Sequence, residues 1–587
     1  MKRQAGNPEP AARGRVPFGS AFVFCSAAFG LALFFVRLFF TVDYYDEFFN
    51  TSVAYQAVLG QTFLSDIWNF FQTGDAIQIP FLWLFRTVFG SMEGVIAAGR
   101  VFYFLCCCVI GLLAYFTFRQ EKNIALFAAV LIACYAPFSL SYWWYDTAMI
   151  QFFLLGCLFL MRALDRESAS QRRINLVIAG LCHAWMVFSY PFSILLVLFF
   201  TVYLAIQKKS VLPALWYLLG TLILLGVFCA YCAGIGFENL FFLRQNQSGA
   251  VAPDAVSGLS GRGYLFDVSG YFSRIGSSVV AVIRAYRSQL IAFVLSSVLI
   301  LAFYWARRWK LCLAVLLSQP LIPFLLSLTA NEFSTVFYWA YFFMLGLPCW
   351  LLLRSADQTR RVDRMFFVLW LPSLLAFCAI TLTALGDATL KGLLGLYCGA
   401  FCGFLFFLFL IRLVLNKLSI SVSGFLLSLA GLALLACEIL LYCVSPYRSE
   451  RAFRCDYVMQ SGVCKGIVTV RADKSYETLE EELNSLLVQG DRTILSLDRA
   501  AYIYLMTDLK MATPMPEAWS EEYEYWRQVS GMPDVIVCLT NRLNEKTETM
   551  RTILHENYTR IGVAGDFSVY RINASGAVPG PVADAAP

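Results

Sequence analysis

The sequence has few histidines and few charged residues for its length. Only His183 and His555 occur among 587 residues, and charged residues make up 14% of the chain. Two histidines disfavour a histidine-rich zinc site and a Ser-His-Asp triad. The GxxxxGK[ST] phosphate-binding loop and the HExxH motif are both absent. ATP-driven transport and zinc proteolysis therefore lose their main sequence support.

Apolar residues are abundant instead. Hydrophobic residues make up 59% of the chain and aromatic residues 16%, and the mean hydropathy is +0.66. Soluble domains carry about 25% charged residues. Repeated apolar runs of about twenty residues match the length that a helix needs to cross about 30 Å of hydrocarbon. We predict an all-α polytopic membrane bundle.

The apolar runs predict about thirteen transmembrane helices, and seven basic clusters alternate with them. Because basic residues concentrate on the cytoplasmic side, residues 1–17 are expected inside, and residues 43–94, 235–287 and 445–587 outside. The predicted spans are 18–42, 95–118, 124–140, 147–163, 174–189, 192–206, 211–234, 288–305, 311–329, 335–353, 365–385, 392–411 and 420–443. The basic clusters are the N-terminus, Arg119 with Lys122, Arg162 to Arg173, Lys208 with Lys209, Arg307 to Lys310, Arg354 to Arg364, and Arg412 with Lys417.

The chain changes character after the last span. Residues 445–587 carry 15 basic and 20 acidic residues, whereas the preceding part carries 30 basic and 19 acidic. Short strand patterns at 466–471, 493–497 and 534–539 alternate with helical patterns at 476–488 and 547–558. We therefore predict a transmembrane domain over 18–444, an extracytoplasmic α/β domain over 445–573, and a disordered tail over 574–587. The basic residues are scattered between spans, which disfavours a nucleic-acid partner.

Three carboxylates stand directly outside the first span. Asp43, Asp46 and Glu47 fall within five residues, and in a helix Asp43 would share a face with the other two. Like charges beside an apolar surface raise a pKa unless a cation is near. The alternative is that these residues only mark the solvated end of a span.

The order of several motifs resembles the GT-C superfamily of integral-membrane glycosyltransferases, in particular the protein O-mannosyltransferases and the bacterial lipid A aminoarabinose transferases. The likeness covers roughly residues 18 to 210. It rests on Asp46-Glu47, Leu59-Gly60-Gln61, Asp66-Ile67-Trp68, Gly99-Arg100, Tyr145-Asp146-Thr147, and the segment 175–191 with its Ala-Gly-Leu-x-His-Ala and Ser-Tyr-Pro.

This resemblance implies an enzyme that moves a sugar from a polyprenyl-phosphate donor to a hydroxyl of a glycan, lipid or protein acceptor outside the cell. Asp46 matches the position of the family's general base, and direct displacement predicts inversion at the anomeric carbon. Glu47 and Asp146 are further catalytic candidates that orient the acceptor or, with Asp46, hold a divalent cation. The candidate substrate-binding residues are Asp43, Asp66, Gln78, Arg100 and Tyr145. For Asp66 and Gln78, a solvated loop is the competing interpretation.

The leaving phosphate needs a positive charge nearby. Arg37 and Arg100 lie within or beside spans, where an arginine is costly and indicates a function. For both, an ion pair with Asp43 or Asp46 is the structural alternative, and Arg37 can also reach the membrane interface. The remaining candidates are Arg86, Arg244, Arg262, Arg274, Arg284, Arg287 and Lys391.

Two other classes of function remain open from the sequence. A transporter or lipid flippase would place charged residues near the membrane midplane, and a non-catalytic cell-envelope assembly factor would use the external domain for binding. In each case we expect a multi-pass protein in contact with membrane lipids. The family resemblance implies a bacterial plasma membrane with the C-terminal domain outside.

Overall fold

The structure is a computed structural model. It describes residues 18–67, 72–165, 168–236, 268–328, 333–356, 359–383, 388–420, 423–445, 450–498, 500–514, 516 and 531–573. The predicted N-terminal segment 1–17 and the predicted tail 574–587 lie outside these residues.

The first half of the chain is helical. A proline near the start of α4 and Gly90 just after its end, with a φ of 70°, bound this helix because each residue suits that position. The helices are α1 Phe18–Arg37, α2 Asp46–Val58, α3 Gln72–Asp75, α4 Ile79–Phe89, α5 Val95–Phe118, α6 Lys122–Ala133, α7 Tyr145–Asp165, α8 Ala169–Ser189, α9 Ile194–Lys208 and α10 Leu212–Ile235.

The second half of the membrane region is also helical. Its helices enclose a large apolar core together with α1 and α5 to α10. They are Val268–Ala285, Arg287–Trp305, Trp309–Ser318, Leu321–Ser327, Ser334–Ser355, Thr359–Met365, Leu371–Thr383, Tyr397–Lys417 and Ser423–Val444. A π-helical turn lies at Phe366–Trp370, and a 3₁₀ segment at Ala388–Leu396.

Nine helical segments among the described residues are long and apolar enough to cross a membrane. The protein is therefore an integral multi-pass membrane protein, as predicted. Thirteen crossings are not confirmed as a count, because α5 and α6 follow each other with only the turn Arg119–Glu121 between them, and two further apolar helices, Phe22–Arg37 and Pro191–Gln207, are short.

After the last membrane helix the chain forms the predicted α/β region. The strands are β1 Tyr457–Val458, β2 Val468–Thr469, β3 Thr493–Ser496, β4 Lys510–Met511, β5 Val535–Leu539, β6 Tyr558–Ala564 and β7 Phe567–Ile572. Strands β3 to β7 form one sheet in the order β4-β3-β5-β7-β6, parallel among the first three and antiparallel in the rest. The helices of this region are Lys474–Leu486, Ile503–Met506 and Glu548–Asn557. We call residues 450–573 the C-terminal domain.

The C-terminal domain packs directly on α2. Ser52 donates a hydrogen bond to the carbonyl of Ala501 at 2.7 Å. Gln56 accepts one from the Met511 amide at 2.9 Å, and Gln61 donates one to the Met511 carbonyl at 2.9 Å. Strand β4 lies at the edge of the sheet, so these two glutamines satisfy backbone groups that a neighbouring strand would otherwise pair.

A second contact joins the C-terminal domain to the end of α1. The Thr41 amide donates to the carbonyl of Val468 at 2.8 Å, and the Val468 amide donates to the carbonyl of Phe39 at 2.6 Å. Nearby, the rings of Tyr44 and Tyr476 stack at 3.8 Å between centroids. The C-terminal domain therefore lies on the same face of the membrane region as the loop 43–94.

Candidate active site

The acidic segment after α1 forms the start of α2. The carboxylate of Asp43 accepts hydrogen bonds from the amides of Tyr45, Asp46 and Glu47 at 3.0, 3.1 and 3.2 Å. Asp43 thus precedes the helix and satisfies its first free amides. Burial raises the pKa of Asp43 to about 7, and the charge of Asp46 adds to the rise.

The side chain of Glu47 is buried in the protein. Its two carboxylate oxygens accept hydrogen bonds from Nε and Nη2 of Arg100 at 2.8 and 2.6 Å. The remaining terminal nitrogen of Arg100 donates to the carbonyls of Leu38 and Thr41, each at 2.9 Å. Both side chains are buried. For Arg100 the sequence left two interpretations, phosphate binding and an ion pair with Asp43 or Asp46. The structure shows an ion pair, but its partner is Glu47.

Arg37 is held by backbone carbonyls. Its Nε and Nη2 donate to the carbonyl of Tyr442 at 3.1 and 3.0 Å, and Nη1 donates to that of Phe40 at 2.7 Å. This arginine is buried and ties the end of α1 to the last membrane helix.

Asp146 lies at the start of α7 and is fully buried. One carboxylate oxygen accepts a hydrogen bond from the hydroxyl of Tyr190. The other lies 3.4 Å from Nζ of Lys391, an ion pair without a completed hydrogen bond. Lys391 donates instead to the hydroxyl of Tyr145 at 2.8 Å. The ammonium group also lies 5.4 Å from the ring centroid of Trp144 and 5.0 Å from that of Tyr145.

Asp46 is the neighbour of Glu47 in the chain and also lies near the Asp146–Lys391 ion pair. It is the first residue of α2, it is partly exposed, and it lies within electrostatic range of Tyr145, Asp146 and Lys391. The N-terminal ends of α2 and α7 and the segment Ala388–Leu396 therefore bring two carboxylates, one ammonium group and a phenol within electrostatic range of one another. We call Asp46, Tyr145, Asp146 and Lys391 the four-residue cluster.

The two predicted sugar-binding residues lie in different environments. Asp66 is exposed, and its carboxylate accepts a hydrogen bond from the Thr62 amide at 2.8 Å within a turn. Gln78 is buried, and its Oε1 accepts a weak hydrogen bond from the Thr51 hydroxyl at 3.4 Å. Of the two, Gln78 is thus the one held in the interior against α2.

The other phosphate candidates are dispersed. Arg86 forms an ion pair with Asp508 of the C-terminal domain at 3.2 Å. Arg274, Arg284 and Arg287 belong to the helices Val268–Ala285 and Arg287–Trp305. Arg244 and Arg262 lie outside the described residues. Among these candidates, Lys391 is the one that the structure places against Asp146.

The described residues provide no suitable set of ligands for the predicted divalent cation. Among the residues that the structure describes, no group of three or more His, Cys, Asp or Glu side chains could hold a metal ion. Glu47 is neutralised by Arg100, and Asp146 is paired with Lys391. Because hard cations need several oxygen ligands in one place, these carboxylates do not fit a metal site.

Sequence reasoning missed Asp75, the last residue of α3. Its side chain is fully buried, and neither oxygen completes a hydrogen bond within the described residues, although the Tyr145 amide points toward it. Burial and the nearby charge of Asp146 raise its pKa well above the usual value. The sequence signal for Asp75 was its position as an acidic residue among apolar residues of a loop. The same pattern is also typical of a solvated turn.

A family model matches a stretch of the chain that contributes several residues to this site. Residues 78–231 match the model for dolichyl-phosphate-mannose-protein mannosyltransferases. This stretch is similar to the GT-C glycosyltransferases. The match confirms the resemblance seen in the motifs, supports glycosyltransferase activity, and includes Arg100, Tyr145, Asp146 and Tyr190. It covers about a quarter of the chain. A search of curated proteins gives no significant match.

Solved structures show only a distant likeness. ArnT from Cupriavidus metallidurans bound to undecaprenyl phosphate is 11% identical, with 95% of this chain and 99% of that chain covered and a TM-score of 0.49. The same protein in the apo state is 12% identical over 95% and 99% of the chains, with a TM-score of 0.48. The Archaeoglobus fulgidus oligosaccharyltransferase tethered with an acceptor peptide is 12% identical over 95% and 74%, with a TM-score of 0.46. At these TM-scores the likeness carries no functional information.

Proposed function

We propose that this protein is a membrane glycosyltransferase that moves a sugar from a polyprenyl-phosphate donor to an acceptor hydroxyl. The observation that carries the proposal is the four-residue cluster at the end of the membrane region, where a partly exposed carboxylate lies near a lysine. This position suits a donor whose lipid chain stays in the bilayer while its phosphate and sugar reach the surface. The family match over residues 78–231 supports the same class of reaction.

Asp46 is the general base in this proposal. Of the three catalytic candidates, Glu47 is bound by Arg100, and Asp146 is buried against Tyr190 and Lys391. Asp46 alone among the three combines partial exposure with a place at the start of a helix. A carboxylate within hydrogen-bond reach of the acceptor hydroxyl can take its proton as the oxygen attacks.

Lys391 stabilises the leaving phosphate. In the reaction a bond forms between the acceptor oxygen and the anomeric carbon, and the bond from that carbon to the phosphate oxygen breaks. The electron pair stays on the phosphate, where the ammonium group offsets the developing charge, and the acceptor proton goes to Asp46. Displacement in one step inverts the configuration at the anomeric carbon, in contrast to two-step retaining hydrolases.

We further propose that the site faces the outside of a bacterial plasma membrane. The basic clusters support an outside position for the loop 43–94, and the C-terminal domain is hydrogen-bonded to that loop. Nucleotide sugars are not supplied there, so a lipid-carried sugar is the suitable donor. Glycans, lipids and proteins in that compartment are the acceptors to examine.

The direct test is transfer of a radiolabelled sugar by purified protein. Polyprenyl phosphates carrying different sugars are supplied with extracts of envelope glycans, lipids and proteins, and labelled product is measured. We expect transfer from at least one lipid-linked donor and none from the matching nucleotide sugar. Transport of label across vesicles without a new glycosidic bond would contradict the proposal and favour a transporter or flippase.

A further inference from the structure

The single-turn helix α3 is fixed tightly against the outer ends of α7 and α8. The Thr73 hydroxyl donates to the carbonyl of Phe188 in α8 at 2.5 Å. Gly74 lies so close to α7 that a Cβ there would sit 2.7 Å from the Cα of Tyr145. Only glycine permits this approach. These two contacts determine where the next residue, Asp75, can place its carboxyl group.

That position is unfavourable unless something binds there. Asp75 is fully buried, and neither of its oxygens completes a hydrogen bond within the described residues. A buried polar group without a partner costs on the order of a lost hydrogen bond or more. Asp146, which also has one oxygen without a hydrogen bond, lies within electrostatic range. The two carboxyl groups therefore influence each other, and among the described residues Lys391 forms an ion pair with Asp146.

Other unsatisfied polar atoms lie on the elements beside Asp75. Nε2 of Gln78, three residues further along the chain, is buried without a hydrogen bond. So is Oδ1 of Asn50, whose amide nitrogen donates to the Asp46 carbonyl. Folded proteins leave few such atoms. These two atoms, on α2 and on the turn that follows α3, can form hydrogen bonds with a polar ligand beside Asp75.

We propose that Asp75 is a binding residue for the donor's sugar, accepting hydrogen bonds from its hydroxyl groups beside Asp146. This inference rests on the proposed function and adds the sugar-binding part of the site. The proposed function already places the donor phosphate at Lys391, and the lipid chain would leave the Asp75 carboxyl group unsatisfied. A sugar ring offers neutral hydroxyls that can donate to both Asp75 and Asp146.

The test compares undecaprenyl phosphate with undecaprenyl phosphate that carries a sugar, using a panel of hexoses and pentoses. Binding to the purified full-length protein is measured with both ligand types. We expect Asp75→Ala to weaken binding of the preferred sugar-bearing lipid at least about tenfold, the loss expected for about 1.4 kcal/mol. Binding of undecaprenyl phosphate should change less than about twofold. Asp75→Asn, which keeps the shape and one acceptor oxygen, should recover part of the affinity.

The matched control is Glu93→Gln, an acidic residue of the same loop whose exposed side chain pairs with Lys465. It should bind both lipids like the wild type. Equal weakening of both lipids by Asp75→Ala, with a lower unfolding temperature, would mean that Asp75 only stabilises the start of α7 and would overturn the inference. So would unchanged affinity in this variant, or a wild type that binds no sugar-bearing lipid better than undecaprenyl phosphate. If Asp75→Ala leaves transfer intact while Asp46→Asn abolishes it, the inference fails and the proposed function stands.

Discussion

Glu47 and Arg100 form a two-point ion pair, with distances of 2.8 and 2.6 Å, between the first turn of α2 and the first turns of α5. The neighbouring Asp46 is partly exposed and belongs to the four-residue cluster. Two adjacent acidic residues therefore differ in their surroundings. Glu47 ties the start of α2 to α5, and Asp46 is the residue that we propose as the general base.

Breaking the Glu47–Arg100 pair should destabilise the protein. Because both groups are buried, removal of one partner leaves an uncompensated charge, which typically costs about 3–5 kcal/mol. We expect Glu47→Gln and Arg100→Met each to lower the unfolding temperature in detergent markedly. In the double variant the losses should be less than additive. Additive losses would mean that the two side chains act independently.

Asp46→Asn should preserve folding and reduce sugar transfer by at least about a hundredfold, the lower end of typical acid-base contributions. The reason is that an amide cannot take the acceptor's proton. Glu47→Gln and Asp146→Asn should also impair turnover. Initial rates with labelled donor provide the measurement, and Glu93→Gln is the control. Near-normal rates for folded Asp46→Asn protein would move the base to Glu47 or Asp146.

Lys391→Met should lower kcat/KM for the lipid donor by about tenfold or more, through a higher KM and a lower kcat. The reason is that the developing phosphate charge loses its counter-ion. Lys391→Arg should retain part of the activity. Lys465→Met, which removes an exposed lysine from the Glu93 pair, should behave like the wild type. If Lys391→Met unfolds the protein and Lys391→Arg is fully active, the lysine mainly neutralises Asp146.

The stability of the protein should depend on pH through Asp43. Its pKa is raised from 3.8 to about 7 by burial and by Asp46, so the folded state holds a proton that the unfolded state releases. The free energy of unfolding contributed by this group therefore falls as pH rises from about 4 to about 7, and is constant above that range. As pH rises from about 4 to about 7, the unfolding temperature of the wild type should therefore fall relative to that of Asp43→Asn. A constant difference from about pH 4 to about pH 8 would contradict this assignment.

Gln56→Leu should loosen the C-terminal domain. The substitution leaves the buried Met511 amide without its acceptor, which costs about 1–3 kcal/mol. We expect faster proteolysis of residues 450–573 and a lower unfolding temperature. Gln460→Ala, at an exposed glutamine of the same domain, is the control. Unchanged proteolysis of Gln56→Leu would show that the domain is held mainly by its apolar contacts.

The membrane helices and the acidic segment could be predicted from sequence because both signals are local. Apolar runs mark the helices, and Asp46 with Glu47 stand directly after one of them. It could not be predicted that Glu47 is buried in an ion pair whereas Asp46 is partly exposed, because the pair depends on Arg100, which is distant in sequence.

Asp75 shows the same limit. In the sequence it belongs to a polar stretch between apolar residues, and nothing nearby distinguishes it from a solvated turn. Its burial results from Gly74 and Thr73 docking on α7 and α8, contacts that link positions about 70 and 115 residues apart in the chain. Such long-range contacts leave no periodic pattern in one sequence.

The hydrogen bond between Thr41 and Val468 joins two segments that are synthesised far apart in time. Thr41 has a φ of 66°, a conformation that a threonine adopts only when its surroundings hold it, and one of those holds is made by a residue synthesised about 430 positions later. Domains generally fold in the order in which the ribosome makes them. The hydrogen bonds that Val468 makes to the turn before Asp46 can therefore form only after the described membrane helices, all of which precede Val468 in the chain, have been synthesised.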